Sequence, residues 1–155
     1  MWFEINVRGI NIKLQINGYG KTNGDNWDSE WCRCDFSFSS GNWLNYHKEN
    51  YVVLLCCEVD NLEKALTEQL ENKISGVKEI KCIEPDFVFK LYPKVDLRDD
   101  PKYTYIQPGF EIQDILLEWR IYFWDDGLTD NFLTITLDRD KIIKLKEYLV
   151  RVKNL

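Results

Sequence analysis

The sequence has one histidine, one methionine and four prolines among its 155 residues, and its longest apolar runs are brief. A lone histidine gives little to build a general base, a nucleophilic triad or a metal site on, and His47 reads as an isolated side chain in a polar loop. Runs such as Tyr51 to Cys57 fall far short of the ~20 apolar residues that cross a bilayer, and the opening Met1-Trp2-Phe3-Glu4-Ile5-Asn6 lacks a basic stretch followed by an apolar one. A soluble, cytoplasmic chain without a membrane partner is expected. An excess of positive charge is missing too: 20 basic residues face 26 acidic ones, for a net charge of −6. A phosphate backbone is therefore a disfavoured partner, and no nucleic acid is assigned. The five cysteines (Cys32, Cys34, Cys56, Cys57, Cys82) are odd in number and lack zinc-ligand spacing, so they read as small hydrophobes in a reducing compartment. The glycines are scattered and form no phosphate-cradling loop, so neither a metal nor another cofactor is assigned.

What the sequence does hold is core material: 45% hydrophobic and 14% aromatic residues in a chain of ordinary domain length, with no repeat, low-complexity tract or linker. One domain over residues 1–155 follows. Its clearest pattern is the alternation of Phe3, Ile5 and Val7, then Ile10, Ile12, Leu14 and Ile16, broken at Arg8-Gly9. That is a β-hairpin in which a two-residue turn would pair Val7 with Ile10 and Phe3 with Leu14; a bulged turn on Gly9 remains open, since Arg8 is poorly suited to positive φ.

Residues 18–29 then form a polar connection, residues 30–39 a strand and residues 40–50 a second polar loop carrying Trp43, Tyr46 and His47. The run from Tyr51 to Cys57 is apolar on both faces and reads as a central, doubly covered strand. Asp60-Asn61-Leu62-Glu63 has the form of a capping box opening a helix with Leu62, Leu66, Leu70 and Ile74 on one stripe, ended by Gly76. Two strands follow, over residues 77–83 and 86–92. A charged loop holds Asp96, Asp99 and Asp100, and a long alternating strand over residues 112–124 reads as bent or bulged. A turn at Asp125-Asp126-Gly127 leads to a strand over residues 131–137, and Asp138 caps a final helix with Ile142, Leu145, Leu149 and Val152 buried. The pattern predicts an α+β domain: a curved, mainly antiparallel sheet of seven or eight strands with two helices.

Charge is uneven along the chain. Residues 139–153 hold six basic against two acidic residues, which leaves a net −10 on the remainder. Such a surface either merely aids solubility or steers a basic protein onto it, raising association rate and specificity more than affinity. Trp27, Trp31, Trp43 and Trp124 sit in or beside polar loops, where each could recognise a partner or fold back to close the sheet. No clustered trace of an active site is found, although the carboxylates Glu84 and Asp86 leave a glycosidase-like pair open; the chain is read as not an enzyme, with no catalytic residues.

Three stretches carry a family resemblance. Asn26-Trp27-Asp28-Ser29-Glu30-Trp31, after an N-terminal hairpin, resembles the Trp-Asp-x-x-Trp segment of WapI-type immunity proteins, which protect bacteria from a wall-associated, nuclease-tipped toxin. Ile83-Glu84-Pro85-Asp86 with its alternating aromatic strand is similar to that family's middle, and the long strand, short strand and helix from Ile112 to Val152 to its end. Cys32, where a larger aliphatic residue is expected, and the aromatic-rich insertion from Pro93 to Phe110 depart from the pattern. The resemblance implies a cytoplasmic inhibitor that blocks a toxin domain by stoichiometric binding, without catalysis. A nuclease must be basic where it holds nucleic acid, so the expected toxin-facing set is acidic: Asp25, Asp28, Asp99, Asp100, Asp125, Asp126 and Asp130, with Trp124 as anchor. The alternative is a small-ligand or carbohydrate-binding module that stacks its loop tryptophans on a sugar.

Overall fold

A computed structural model describes residues 1–20 and 30–155. Asp25, Trp27 and Asp28, with most of the Trp-Asp-x-x-Trp segment, lie outside the described residues. Strands β1 (Phe3–Val7) and β2 (Ile10–Asn17) pair in the expected two-residue register, Val7 opposite Ile10 and Phe3 opposite Leu14. The turn takes the tight form rather than the bulged one: Arg8 and Gly9 both have positive φ, 51° and 88°, and the Asn6 side chain accepts the Gly9 N–H at 3.1 Å. The register thus outweighs the unfavourable backbone of Arg8.

Strands β3 (Trp31–Ser40) and β4 (Leu44–Leu55) extend this meander into a four-stranded sheet of order β1-β2-β3-β4. The polar loop over residues 40–50 is a tight turn followed by the first half of β4, in which half-buried Leu44, Tyr46 and Lys48 alternate with exposed Asn45, His47 and Glu49. His47 is accordingly not isolated, because strand geometry puts Glu49 two residues on upon the same face, at 3.0 Å. β4 is moreover an edge strand, and it runs directly into helix α1 (Cys56–Leu70), so Cys56 and Cys57 are helical.

The helix therefore opens four residues before Asp60. Glu58, not Glu63, occupies its third position and accepts the Leu55 N–H at 2.9 Å. The same carboxylate accepts the Ile83 N–H at 2.8 Å, tying the helix start to the chain far ahead. The last turn closes at Glu71, before Gly76, with Asn72 in the left-handed region (φ 56°).

The second sheet has the order β10-β9-β6-β5, from β5 (Lys78–Lys81), β6 (Phe87–Tyr92), β9 (Leu116–Trp124) and β10 (Leu128–Leu137). A separate two-stranded ribbon joins β7 (Val95–Asp96) to β8 (Ile112–Gln113). The class is α+β, with antiparallel pairing throughout the described sheets. The expected single sheet of seven or eight strands is instead ten described strands in two four-stranded sheets and a ribbon. The long strand breaks at Asp114-Ile115, and the meander and the second half have no strand neighbours in common.

The two sheets face one another across an aromatic core. Phe36 packs edge-on to Phe87 at 5.2 Å between centroids, Phe38 to Trp119 at 5.8 Å, and Phe87 to Trp119 at 5.2 Å. Helix α2 (Arg139–Lys153) starts at Asp138, whose carboxylate accepts the Lys141 N–H at 3.2 Å. It buries Ile142, Leu145, Leu149 and Val152 as its spacing predicts, and Tyr148 as well. The helices pack on each other, and each touches both sheets, α1 through β4 and β6, α2 through β1, β9 and β10. They close one side of the sandwich. Tyr148 stitches that closure: its hydroxyl accepts the Ile16 N–H at 2.9 Å and donates to the Met1 carbonyl at 3.2 Å.

Candidate functional site

Strand β9 decides where the acidic loops can act, because the two described groups leave it from opposite ends. Its start, Leu116, pairs with Tyr92 and leads back to the ribbon and to Asp99 and Asp100; its end, Trp124, leads into Asp125, Asp126 and Asp130. Eight strand steps at ~3.3 Å separate these ends by roughly 26 Å. The expected acidic set is therefore divided between two surfaces.

At the far end the β9–β10 hairpin presents Asp125, Asp126 and Asp130, all exposed and none in an ion pair among the described residues. Its turn is held by the Asp125 N–H to the Gly127 carbonyl (2.9 Å) and by the Thr129 hydroxyl to the Phe123 carbonyl (2.6 Å). Asp126 (φ 55°) and Gly127 (φ 131°) take the left-handed backbone the turn needs. Trp124 is half-buried rather than projecting. Its ring meets Tyr51 edge-on at 6.4 Å, its backbone N–H donates to the Tyr46 hydroxyl at 3.2 Å, and its indole nitrogen is buried. Tyr46 in turn stacks edge-on to Phe123 at 4.8 Å, and the Lys48 ammonium lies over Tyr46 and Tyr51 at 5.5 and 5.4 Å. The hairpin is thus clamped to β4 by aromatic rings, a connection between sheets that no local pattern in the sequence signals.

Beneath this clamp lies Asp86, 1% exposed, with both carboxylate oxygens buried. Its pKa is raised to about 6, by burial first and by the nearby Glu84 carboxylate second, while its own backbone N–H, Lys48 and the Trp124 side chain act the other way. A raised carboxyl beside a second carboxylate is the combination a glycosidase uses as its acid, but the Asp86 oxygens are sealed from solvent and a sugar has no access to them. Trp31 is half-buried, while Trp43, 69% exposed, stands on the β3–β4 turn.

At the near end, residues 93–114 form a projecting arm. The β7–β8 ribbon is its neck, the Leu97 N–H donates to the Glu111 carbonyl at 2.7 Å, and a 3-10 turn over Leu97–Asp99 is capped by Asp96. Beyond the neck Asp100 accepts the Lys102 N–H at 3.0 Å and Glu111 accepts the Gly109 N–H at 3.0 Å. Arg98 holds Asp96 in a bidentate pair (2.9 and 2.7 Å), which keeps the Asp96 carboxyl below its ordinary pKa; Asp99 is exposed and Asp100 half-exposed, and neither is in an ion pair among the described residues.

Cys32, Cys34, Cys56 and Cys82 are buried, whereas Cys57, read from the sequence as a small hydrophobe like the others, is exposed. Burial pushes the Cys32, Cys34 and Cys82 thiols well above their ordinary pKa, and the 3.7 Å contact of Cys32 with Cys56 is a packed thiol pair. Among the described residues no group of three His, Cys, Asp or Glu is placed to hold a metal ion, and no helix is long and apolar enough to cross a membrane.

A two-sheet scaffold closed by helices, with acids displayed on loops at both ends and with Glu58, Asp86 and four of the five cysteines buried, has the build of a binding protein. The chain matches the model of the immunity protein WapI-like family over residues 3–153, nearly its whole length, and it belongs to that family. It is also similar to a protein of Podospora anserina described as a "Probable DNA-directed RNA polymerase", 27% identical over 131 residues; the match covers 78% of this chain and spans 13% of that protein.

Proposed function

We propose that this immunity protein neutralises a basic nuclease toxin domain in the cytoplasm by stoichiometric binding through its acidic loops, with no chemistry of its own. The observation that carries the reading is the β9–β10 hairpin: Asp125, Asp126 and Asp130 are exposed and unpaired, on a turn fixed by its own hydrogen bonds and clamped to β4. Charge that is not neutralised within the molecule is available to a cationic groove, and a rigid display keeps the ordering cost of binding low. Trp124 serves this surface from beneath by fixing the hairpin. Asp25 and Asp28 belong to the proposed acidic set by sequence.

The test is binding to the toxin domain encoded beside this gene. Asn tolerates the left-handed backbone of Asp126, so Asp125→Asn with Asp126→Asn removes charge without disturbing the turn. The double variant should associate more slowly and show a shallower dependence of affinity on salt. Affinity at low salt equal to that of the parent chain would remove the hairpin from the interface.

A further inference from the structure

We infer that the arm over residues 93–114 is a second toxin-docking surface, whose aromatic side chains seat the arginine or lysine side chains of the basic partner. This rests on the proposed toxin-binding reading and adds the determinant of affinity to it. Thirteen large hydrophobic side chains are exposed in the described structure, and five of them, Val95, Tyr103, Tyr105, Phe110 and Ile112, fall within this one segment. Tyr105 and Phe110 are 77% and 63% exposed, more than core closure would allow. Concentrated apolar exposure on a monomer surface marks a contact site, whereas scattered exposure does not.

The backbone that carries the aromatics is tied at its neck, base and turns. The neck ribbon, the 3-10 turn and the bonds made by Asp100 and Glu111 leave the loop with its own framework, and the Arg139 guanidinium ties Asp114 at its base to helix α2 at 2.7 and 2.9 Å. Displaying aromatic rings on an ordered loop lowers the entropy lost on binding, which is how such side chains become hot spots.

The chemistry of the occupant follows from charge. A groove of about 490 Å³ runs beside the arm, lined by Asp96, Asp99, Asp100 and Tyr103 together with Lys94 and Val95. Arg98 occupies Asp96, and Asp99 and Asp100, in no ion pair among the described residues, outnumber Lys94, the cation that also lines the groove. An arginine or lysine entering here can lay its stem and cationic head on a tyrosine face while the head meets a carboxylate. The chain itself makes such a contact on the arm, where the Lys102 ammonium lies 5.1 Å from the Tyr103 ring centre, which leaves the more exposed Tyr105 and Phe110 to a partner's cation.

The experiment measures the affinity of the adjacent-encoded toxin domain for the full chain, for Tyr105→Ser with Phe110→Ser, and for Asp125→Asn with Asp126→Asn, with thermal unfolding of each as a folding control. The arm variant, altered only at exposed positions, should unfold at the parent temperature and bind at least fivefold more weakly while keeping the parent's salt dependence. Binding within fivefold of the parent overturns the arm as a docking surface and leaves the hairpin reading standing. Failure of the parent chain to bind the toxin overturns the toxin-binding reading, and the arm with it.

Discussion

Arg139 grips Asp114 through two parallel hydrogen bonds, Nε to Oδ2 at 2.9 Å and the terminal nitrogen to Oδ1 at 2.7 Å, and so couples the first turn of α2 to the base of the arm. The pair holds the Asp114 carboxyl at about 2, with the Arg139 hydrogen bonds as the leading cause. Both side chains remain substantially exposed, so the consequence is positional more than energetic.

Arg139→Ala should accordingly cost under ~1 kcal/mol of global stability. Its larger effect should be local, as faster hydrogen exchange at the Leu97 amide, which bonds Glu111 across the neck. A depressed carboxyl pKa stabilises the fold above the unfolded value near 4, and that contribution is lost as pH falls through about 2. Unchanged exchange across the arm would show the neck holding without this pair.

Asp86 has the opposite sign. Its folded pKa, about 6 against an ordinary 3.8, means that the folded state prefers the protonated form. Its contribution is therefore fully present below pH ~4, is lost as pH rises from there through about 6, and is level above that. Asp86→Asn should flatten stability between pH 4 and 6, measured by urea unfolding across that range, and should raise stability at neutral pH by on the order of 2 kcal/mol. A slope equal to the parent's would show another group to be responsible.

Glu58 bonds two backbone N–H groups from segments 28 residues apart, Leu55 and Ile83, and is itself 8% exposed. Glu58→Ala leaves both donors without their acceptor and should destabilise by about 1–3 kcal/mol. Glu58→Gln keeps an acceptor for one of them and should fall between parent and alanine variant in chemical denaturation. An alanine variant as stable as the parent would show that water replaces the carboxylate at both sites.

Arg8 holds φ 51° in the first turn, a backbone that asparagine tolerates better than a long side chain. Arg8→Asn should raise the thermal midpoint slightly, by about 0.5 kcal/mol of stability. A lowered midpoint would mean that the arginine side chain makes a stabilising contact at this turn.

Strict alternation made the first hairpin legible: with Phe3, Ile5 and Val7 on one face and Ile10, Ile12, Leu14 and Ile16 continuing it, a slip of one residue would turn the whole apolar set toward water. The final helix was equally readable, from Asp138 at its cap to the Ile142, Leu145, Leu149 and Val152 stripe. Strand β4 was harder, since its outward residues Asn45, His47 and Glu49 are as polar as a loop's and only Tyr46 and Lys48 between them pack inward. The start of α1 was displaced because Asp60 to Glu63 imitates a capping box, while the acceptor that functions, Glu58, is recognisable only once Leu55 and Ile83 come together.

Local periodicity, a property of neighbouring residues, settled the class of fold and the presence of two helices. Tertiary structure alone decided that the strands divide into facing sheets, that Asp86 is sealed beneath Trp124, and that Asp99 and Asp125 stand at opposite ends of β9. Those outcomes depend on contacts between residues far apart in the chain, such as Tyr46 with Phe123 and Phe38 with Trp119, and no short window of sequence contains both partners.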